Sequence, residues 1–526
     1  MGIRSNYDWE YTLSEKSDWL SATKTEQGLT ITAETNSSGS SRTATITVSA
    51  GDGKQNQTEQ VVTVSQTGLD LDAFILGIDI TSSSLKTYLP FDKAIDATID
   101  WGDGSIEENV TSAYPSHTYT DPGYYIVSVK GSVTSLNSYD IPDYGLGEQF
   151  REVYNWGRTG LTSMARAFQN CRELKRIPSD NTEAFAKVTT FHYAFTDCRV
   201  LEAVPDGLFA GNPKVTTYSN ALENCTALES VGLLFGKSTA SAKCDRLFAG
   251  ATALKSVPAG IFDGLTGATA FNNTFSECSA LETIPAGLFA KNVNATTVAQ
   301  CFLNCTRLTT VPSRLFEANT KTKTLTEMFS GCSGIESIAP DAFTGLNGTS
   351  LNFQKAFLNC TSLREIPDGL LKTTQISTYT SLFADCTGLV RVGSEVFNCA
   401  SATMFNSVFD GCTSLEEVGK NMLVNPVKLT SVANLFRDCG MLRSVPVSLF
   451  DEAVKLKTLT STFQGCASLE GESPYTVVDG VKYHLYDRTA ENAAASGLTA
   501  ITAAKSSFAG CTKLSDYDKI PTTWKE

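Results

Sequence analysis

Phe302-Leu303-Asn304-Cys305-Thr306-Arg307-Leu308-Thr309-Thr310-Val311-Pro312 and Phe357-Leu358-Asn359-Cys360-Thr361-Ser362-Leu363-Arg364-Glu365-Ile366-Pro367 are one phrase written twice. Its cysteine recurs: Cys171, Cys198, Cys225, Cys278, Cys305, Cys332, Cys360, Cys386, Cys412, Cys439, Cys466 and Cys511 each follow an apolar residue, usually Phe, by three positions. The steps are 26 to 28 residues, apart from a double step around Ala251, where the slot lacks its cysteine, and a last step of 45. A period of this length marks a solenoid, in which each unit buries a face only against its neighbours. The slots predict about thirteen turns, which at roughly 4.8 Å per stacked strand make a rod of about 60 Å.

The unit can be read residue by residue. Apolar residues stand seven and three positions before the cysteine, as in Met164 and Phe168, Phe271 and Phe275, or Phe405 and Phe409. That i,i+4 spacing predicts one face of a helical turn. Cys244 fills the first of these positions in its own unit and is expected in the core. After the cysteine, Leu-x-x-Val/Ile suits a short strand, closed by a proline such as Pro285, and a Leu-Phe pair such as Leu288-Phe289 turns the chain back. In this register the cysteine is a small apolar residue. An odd total of fifteen, spaced by the repeat, predicts a buried column rather than disulfides or a metal site, so the count does not reveal the redox compartment.

The unit resembles the BspA-type leucine-rich repeat over roughly 155–526, which implies an α/β solenoid occupying about 150–526. Leu222 in place of Phe and Gly250-Ala251 in place of the cysteine depart from the pattern. So does an insertion at 471–497, where Asp479-Gly480 between alternating residues predicts a projecting β-hairpin. Upstream, residues 1–68 read as a small β-sandwich, with Thr43–Val48 and Gln60–Val64 as strands and turns at 36–40 and 51–53. Ser17-Asp18-Trp19-Leu20, Asn36 to Val48 and Val64-Ser65-Gln66-Thr67-Gly68 resemble the BACON domain, named for carbohydrate-associated proteins of gut Bacteroidetes. Residues 69–149 hold a second set of strands and a connector. There Trp101-Gly102-Asp103-Gly104, His117-Thr118-Tyr119 and Pro122-Gly123-Tyr124-Tyr125 resemble PKD-type β-sandwiches. In the Trp-Gly-Asp-Gly turn, the glycines are expected at positive φ, with Asp103 capping backbone N–H groups.

Composition narrows the function. A net charge of −14 over 526 residues opposes binding to a phosphate backbone, so nucleic acid is not expected as a partner. No run of 18 apolar residues suggests a membrane span, and Met1–Asn6 lacks the apolar core of a signal peptide, which an exported protein would have carried upstream. Three histidines, His117, His192 and His484, have no second ligand at zinc spacing, and there is no Gly-rich phosphate loop. Asp103 and Asp121 fall short of the oxygen count calcium needs. No enzyme activity, cofactor or metal is expected.

What remains is surface. The two residues between Leu and Val/Ile in each unit face outward and form polar columns, which include Arg364, Arg391, Glu416 and Arg443; these suit contact with protein. Exposed aromatic residues suit sugars better, and the insertion supplies Tyr475, Tyr483 and Tyr486. Trp19 and Trp101 are read as core or turn residues of their sandwiches, Trp156 and Trp524 as covers over the solenoid ends. The family resemblance implies a cell-surface or secreted adhesion protein, anchored as a lipoprotein on the outer membrane of a Bacteroidetes-like bacterium. Its partner would be a host or neighbouring surface protein or, alternatively, a glycan in polysaccharide capture.

Overall fold

A computed structural model describes the chain except residues 1–7, 15–17, 26–27, 34–35, 37–39, 52–56, 144, 181, 318, 347 and 373–374. The expected turns at 36–40 and 51–53 lie partly outside the described residues, and the N-terminal Met1–Asn6 lies wholly outside them.

Two small β domains come first. In the N-terminal one, β1 (Trp9–Leu13), β4 (Arg42–Gly51) and β5 (Gln57–Gln66) form an antiparallel sheet, and β2 (Leu20–Thr25) pairs with β3 (Gly28–Ala33). Alternation in β4 turns Ala44, Ile46 and Val48 inward, onto Trp19, Leu20 and Leu29. The Arg42 guanidinium lies 4.4 Å over the Trp19 ring. Trp19 is thus the core residue expected of it.

The second domain is built on β6 (Ala73–Ile80), β7 (Lys86–Tyr88), β8 (Asp96–Asp100), β9 (Ile106–Val110), β10 (Ser116–Thr118), β11 (Gly123–Ser132) and β12 (Phe150–Asn155). Its main sheet runs β12-β6-β11-β8-β9, and β10 pairs with β7. Gly102 and Gly104 have φ of 82° and 96°, and Asp103 Oδ1 accepts the Ser105 N–H at 2.9 Å, as the motif demands. A Cβ on Gly102 would strike the Ile126 carbonyl. The buried Trp101 ring stacks on His117 at 4.9 Å, and Tyr119 donates to the Trp101 carbonyl at 2.8 Å.

Strand β12 lies past the expected start of the solenoid, yet it completes this sheet and also bridges in parallel from Glu152 to Arg176 in the first repeat. Trp156 follows it, fully buried, with Phe74 of β6 on one side and Phe168, Phe185 and Phe195 on the other. The two regions therefore share one hydrophobic core, while the N-terminal domain keeps its own.

The rest is a β-solenoid with little helix. Paired strands, most only two residues long, mark about 8 turns, so the α/β expectation does not describe the fold. The i,i+4 apolar pairs lie on chained turns instead. In the first unit, the N–H groups of Ala167, Gln169 and Cys171 bond to the third residue back, whereas those of Met164, Arg166, Phe168 and Asn170 bond to carbonyls of the next coil. A helix needs every N–H for its own axis; here alternate ones are spent sideways. The path also requires left-handed φ five and one positions before the cysteine: 61° at Arg166 and 63° at Asn170, 58° at Tyr193 and 61° at Asp197, 62° at Asn220 and 57° at Asn224. The second of these sites carries Asn, Asp or Gly in nearly every unit, the residues that tolerate this region.

Inside, two columns run along the axis. The cysteines are all buried and unpaired. Eleven of the column cysteines donate their S–H to a Phe carbonyl one coil back, as from Cys305 to Phe275 at 3.1 Å and from Cys332 to Phe302 at 2.9 Å, whereas Cys171, in the first unit, donates to Ser138 Oγ at 3.4 Å. Burial pushes the thiols of Cys171, Cys386 and Cys511 up to about 12. Beside them the Phe rings stack, Phe275 on Phe302 at 5.4 Å and Phe302 on Phe329 at 5.2 Å. Cys244 is buried in the same core. At the far end Trp524 stacks on Phe508 at 6.3 Å and its carbonyl accepts the Phe508 N–H, which covers the last coil. Both tryptophans expected at the solenoid ends are there.

Candidate functional site

The polar columns face outward as expected. Elsewhere on this face, two pairs join neighbouring turns: Lys255 meets Glu229 at 2.8 Å and Arg307 meets Glu282 at 2.6 Å. Exposed pairs of this kind contribute only about 0.2–1 kcal/mol each. Four turns differ. Arg364, Glu365, Val390, Arg391, Glu416, Glu417 and Arg443 line one shallow depression of about 590 Å³. Arg391 stands at its centre, paired with Glu365, with Glu417 at 3.3 Å and with Asp368 at 3.4 Å, while Arg443 reaches Glu416 at 3.3 Å. Val390 is an apolar spot amid these charges, 37% exposed. All four charged candidates from the columns thus meet in one place; the alignment of repeats put them in outward columns but not at a common point. Residues Glu365, Glu417 and Asp368 complete it. The first two stand in the second column of the same units; Asp368, beyond the proline, carried no signal.

The insertion contains the expected hairpin. Tyr475–Val478 pairs antiparallel with Val481–His484 around Asp479 and Gly480, whose φ values of 49° and 81° fit a type I′ turn. Val477 and Val481 near its tip are 54% and 51% exposed. Its base is built in. The almost fully buried Arg488 donates to Phe450 O at 3.1 Å, Ala453 O at 3.2 Å and Thr476 Oγ1 at 2.8 Å, and burial lowers its pKa to about 10. A helix, Ala490–Ser496, follows, with Thr489 as N-cap and Gly497 left-handed behind it. The sequence reading missed it, although both cap residues announce it.

The three tyrosines are not equivalent. Tyr486 stacks on His484 at 4.9 Å and donates to the buried Asp516 at 3.1 Å. Tyr475 packs edge-on against His484 at 5.4 Å and carries Lys482 over its ring at 4.3 Å. His484 is held by Asp487 on one ring nitrogen and Glu472 on the other, both at 3.0 Å. Tyr475 and Tyr486 are therefore engaged in holding the insertion together. Tyr483 is half-buried on the neighbouring strand.

His117 bonds Asp103 at 2.8 Å within the turn motif, and His192 has its pKa lowered by burial and by Arg166. Among the described residues, no three His, Cys, Asp or Glu side chains converge as a metal site. Asp103 gives its carboxylate oxygens to Ser105 and His117.

Residues 9–67 match the BACON family, described as "Putative binding domain, N-terminal". The N-terminal domain is a BACON domain. Among solved structures the chain is similar to a leucine rich cell surface protein from Faecalibacterium prausnitzii, at 15% identity over 71% of this chain and 92% of that one, with a TM-score of 0.28. No curated protein matches the chain. No described helix is long and apolar enough to cross a membrane. The BACON domain thus brings a binding-type module to a chain whose remaining length is a second β domain and a solenoid.

Proposed function

We propose that this is a non-enzymatic cell-surface or secreted binding protein, whose solenoid presents the Arg391 cluster to a protein ligand. In this reading each cysteine slot is one turn, thirteen in all, and the BACON domain and a PKD-like second domain stand between the solenoid and an outer-membrane anchor. One observation carries it: four successive turns converge their outward charges on a single depression with an exposed Val390. Fixed, interlocked charges are pre-organised, so a partner of complementary pattern meets them without an ordering cost, and specificity follows from the charges it must match.

The test is surface plasmon resonance of the intact protein against a panel of purified extracellular matrix and bacterial surface proteins. Binding that weakens at least tenfold in Arg391→Glu/Arg443→Glu, and falls with salt, supports the reading. Binding indifferent to that double substitution, or binding to none of the panel, overturns it. The alternative is a surface glycan-binding protein in polysaccharide capture, for which Tyr475, Tyr483 and Tyr486 were the candidate platform. Because Tyr475 and Tyr486 hold the insertion together, the hairpin offers Tyr483 alone for stacking.

A further inference from the structure

The two larger sheets have four outer edges: β1 and β5 end the three-stranded sheet, β12 and β9 the five-stranded one. An unpaired edge offers its backbone N–H and C=O groups to any other strand, so proteins guard such edges with charge, kinks, shortness or a cover. Three of the four are guarded. Strand β1 is five residues long, and the Lys24 ammonium occupies the Trp9 carbonyl on it at 2.7 Å. Strand β12 is covered by the first repeat, whose Arg176 carbonyl accepts the Val153 N–H at 2.9 Å. Strand β9 carries Glu107 and Glu108, and Asn109 within it has a left-handed φ of 56°.

Strand β5 has no such protection. Its ten residues, Gln57-Thr58-Glu59-Gln60-Val61-Val62-Thr63-Val64-Ser65-Gln66, pair with β4 along one side and, among the described residues, bond no backbone on the other. They include no Lys, Arg, Pro or Gly and a single charge, Glu59, while Thr58, Val61, Val62, Thr63 and Val64 are β-branched and favour strand pairing. The side chains show the same opening. On the neighbouring β4, Ala44, Ile46 and Val48 are buried; Val62 and Val64 pack against the same core yet are only half-buried, and Val61, on the outer face, is 58% exposed. The core stops short of its last strand, and one more strand alongside would close it.

The occupant this strand specifies is its own copy. Two identical edges can meet antiparallel about a two-fold axis, with directly opposite residues on the same face of the joined sheet. Centred on Val61, the pairing sets Val61 against Val61, Val62 against Gln60, Val64 against Thr58 and Glu59 against Thr63. No like charges face each other, β-branched side chains meet at the centre, and the half-buried valines gain a covering strand. With one charge along ten residues, the edge offers little by which to select a foreign segment, whereas its own copy fits it position by position.

We propose that β5 is a self-association edge, which joins two copies of this chain through their BACON domains into one six-stranded antiparallel sheet. The pairing consumes both edges, so assembly closes at two copies. Each dimer then carries two solenoids, and a partner that displays repeated sites is held by both at once. The pairing does not depend on the Arg391 reading, and either can fail without the other.

Sedimentation of the full chain from about 5 to 500 μM tests it, since an interface of one strand pair belongs to the small, weak class. A monomer–dimer equilibrium is expected within that range. Val61→Lys and Val61→Glu should each weaken it at least tenfold, because like charges then face each other across the two-fold axis, and an equimolar mixture of the two variants should restore a heterodimer. Both variants should keep the native circular dichroism, Val61 being exposed. A readout free of substitutions is hydrogen exchange: the 57–66 amides should become slower as protein concentration rises, and those of 106–110 should not. A chain that stays monomeric throughout, a dimer indifferent to both substitutions, a mixture that fails to associate, or association that continues past two copies overturns the proposal. So does a monomer whose β5 amides are protected only by an unrelated extended peptide, which would make a foreign strand the occupant.

Discussion

The two small β domains read alike in the sequence, as short alternating strands broken by glycine turns, and the structure gives them opposite roles. The BACON domain closes around Trp19 and Ile46, a core of its own. The second domain has no separate core: Phe74, Trp156 and Phe168 pass without a break from its sheet into the solenoid. A solenoid must cover the apolar end of its first turn. Here a whole domain is the cover. Independence and capping are therefore decided by what lies at the edge of the sheet rather than by strand content.

The sharpest way to break this comparison is at the joint. Trp156→Ala should cost about 3–5 kcal/mol, the range for emptying a fully buried aromatic site. In calorimetry the second domain and the solenoid should fall together to a lower temperature while the BACON transition stays in place; separate melting of sheet and solenoid would refute the shared core. The reciprocal substitution, Ile46→Ala, should cost about 2–5 kcal/mol and move only the BACON transition.

A gentler probe is acid. The Ser105 hydroxyl, with further help from its N–H and from His117, holds the Asp103 carboxyl down at about 2, against an ordinary 3.8. Because the folded value is the lower one, this contribution is complete above about pH 4 and disappears as the pH falls through about 2. Asp103→Asn should flatten that part of the acid profile in the fused unit and leave the BACON transition untouched. The smallest expected effect comes from removing residues 1–68: the transition of the remainder should shift by no more than about 0.5 kcal/mol equivalent, the scatter of a surface change. A larger shift would mean that the BACON domain also supports the sheet.

The Phe-x-x-Cys-x-x-Leu words made the inner columns legible, since each residue in them is buried for its own size and polarity. The same words misled on the backbone. Phe271 and Phe275 share a face whether the intervening chain is a helix or a run of linked turns, and hydrophobic spacing cannot tell the two apart. The distinguishing mark was present one position before the cysteine, in Asn304-Cys305, Asp385-Cys386 and Gly465-Cys466: residues suited to left-handed φ and poor inside a helix. The joining of β12 to β6 left no local trace, because the partners are more than 70 residues apart. The Arg391 cluster was half visible, since aligned repeats predict which side chains share a column but not which of them bend toward a common point.

The covers at the two ends have a consequence for how such a molecule can change over generations. The second domain and the Trp524 segment each fit the particular coil they touch, whereas an interior coil meets only copies of itself. A duplication or loss of one 27-residue word between them would leave both covers intact and keep every Cys–Phe contact in step. Length is therefore a variable that recombination can tune in increments of about 4.8 Å, lengthening or shortening the reach of the molecule without redesigning anything that makes it fold.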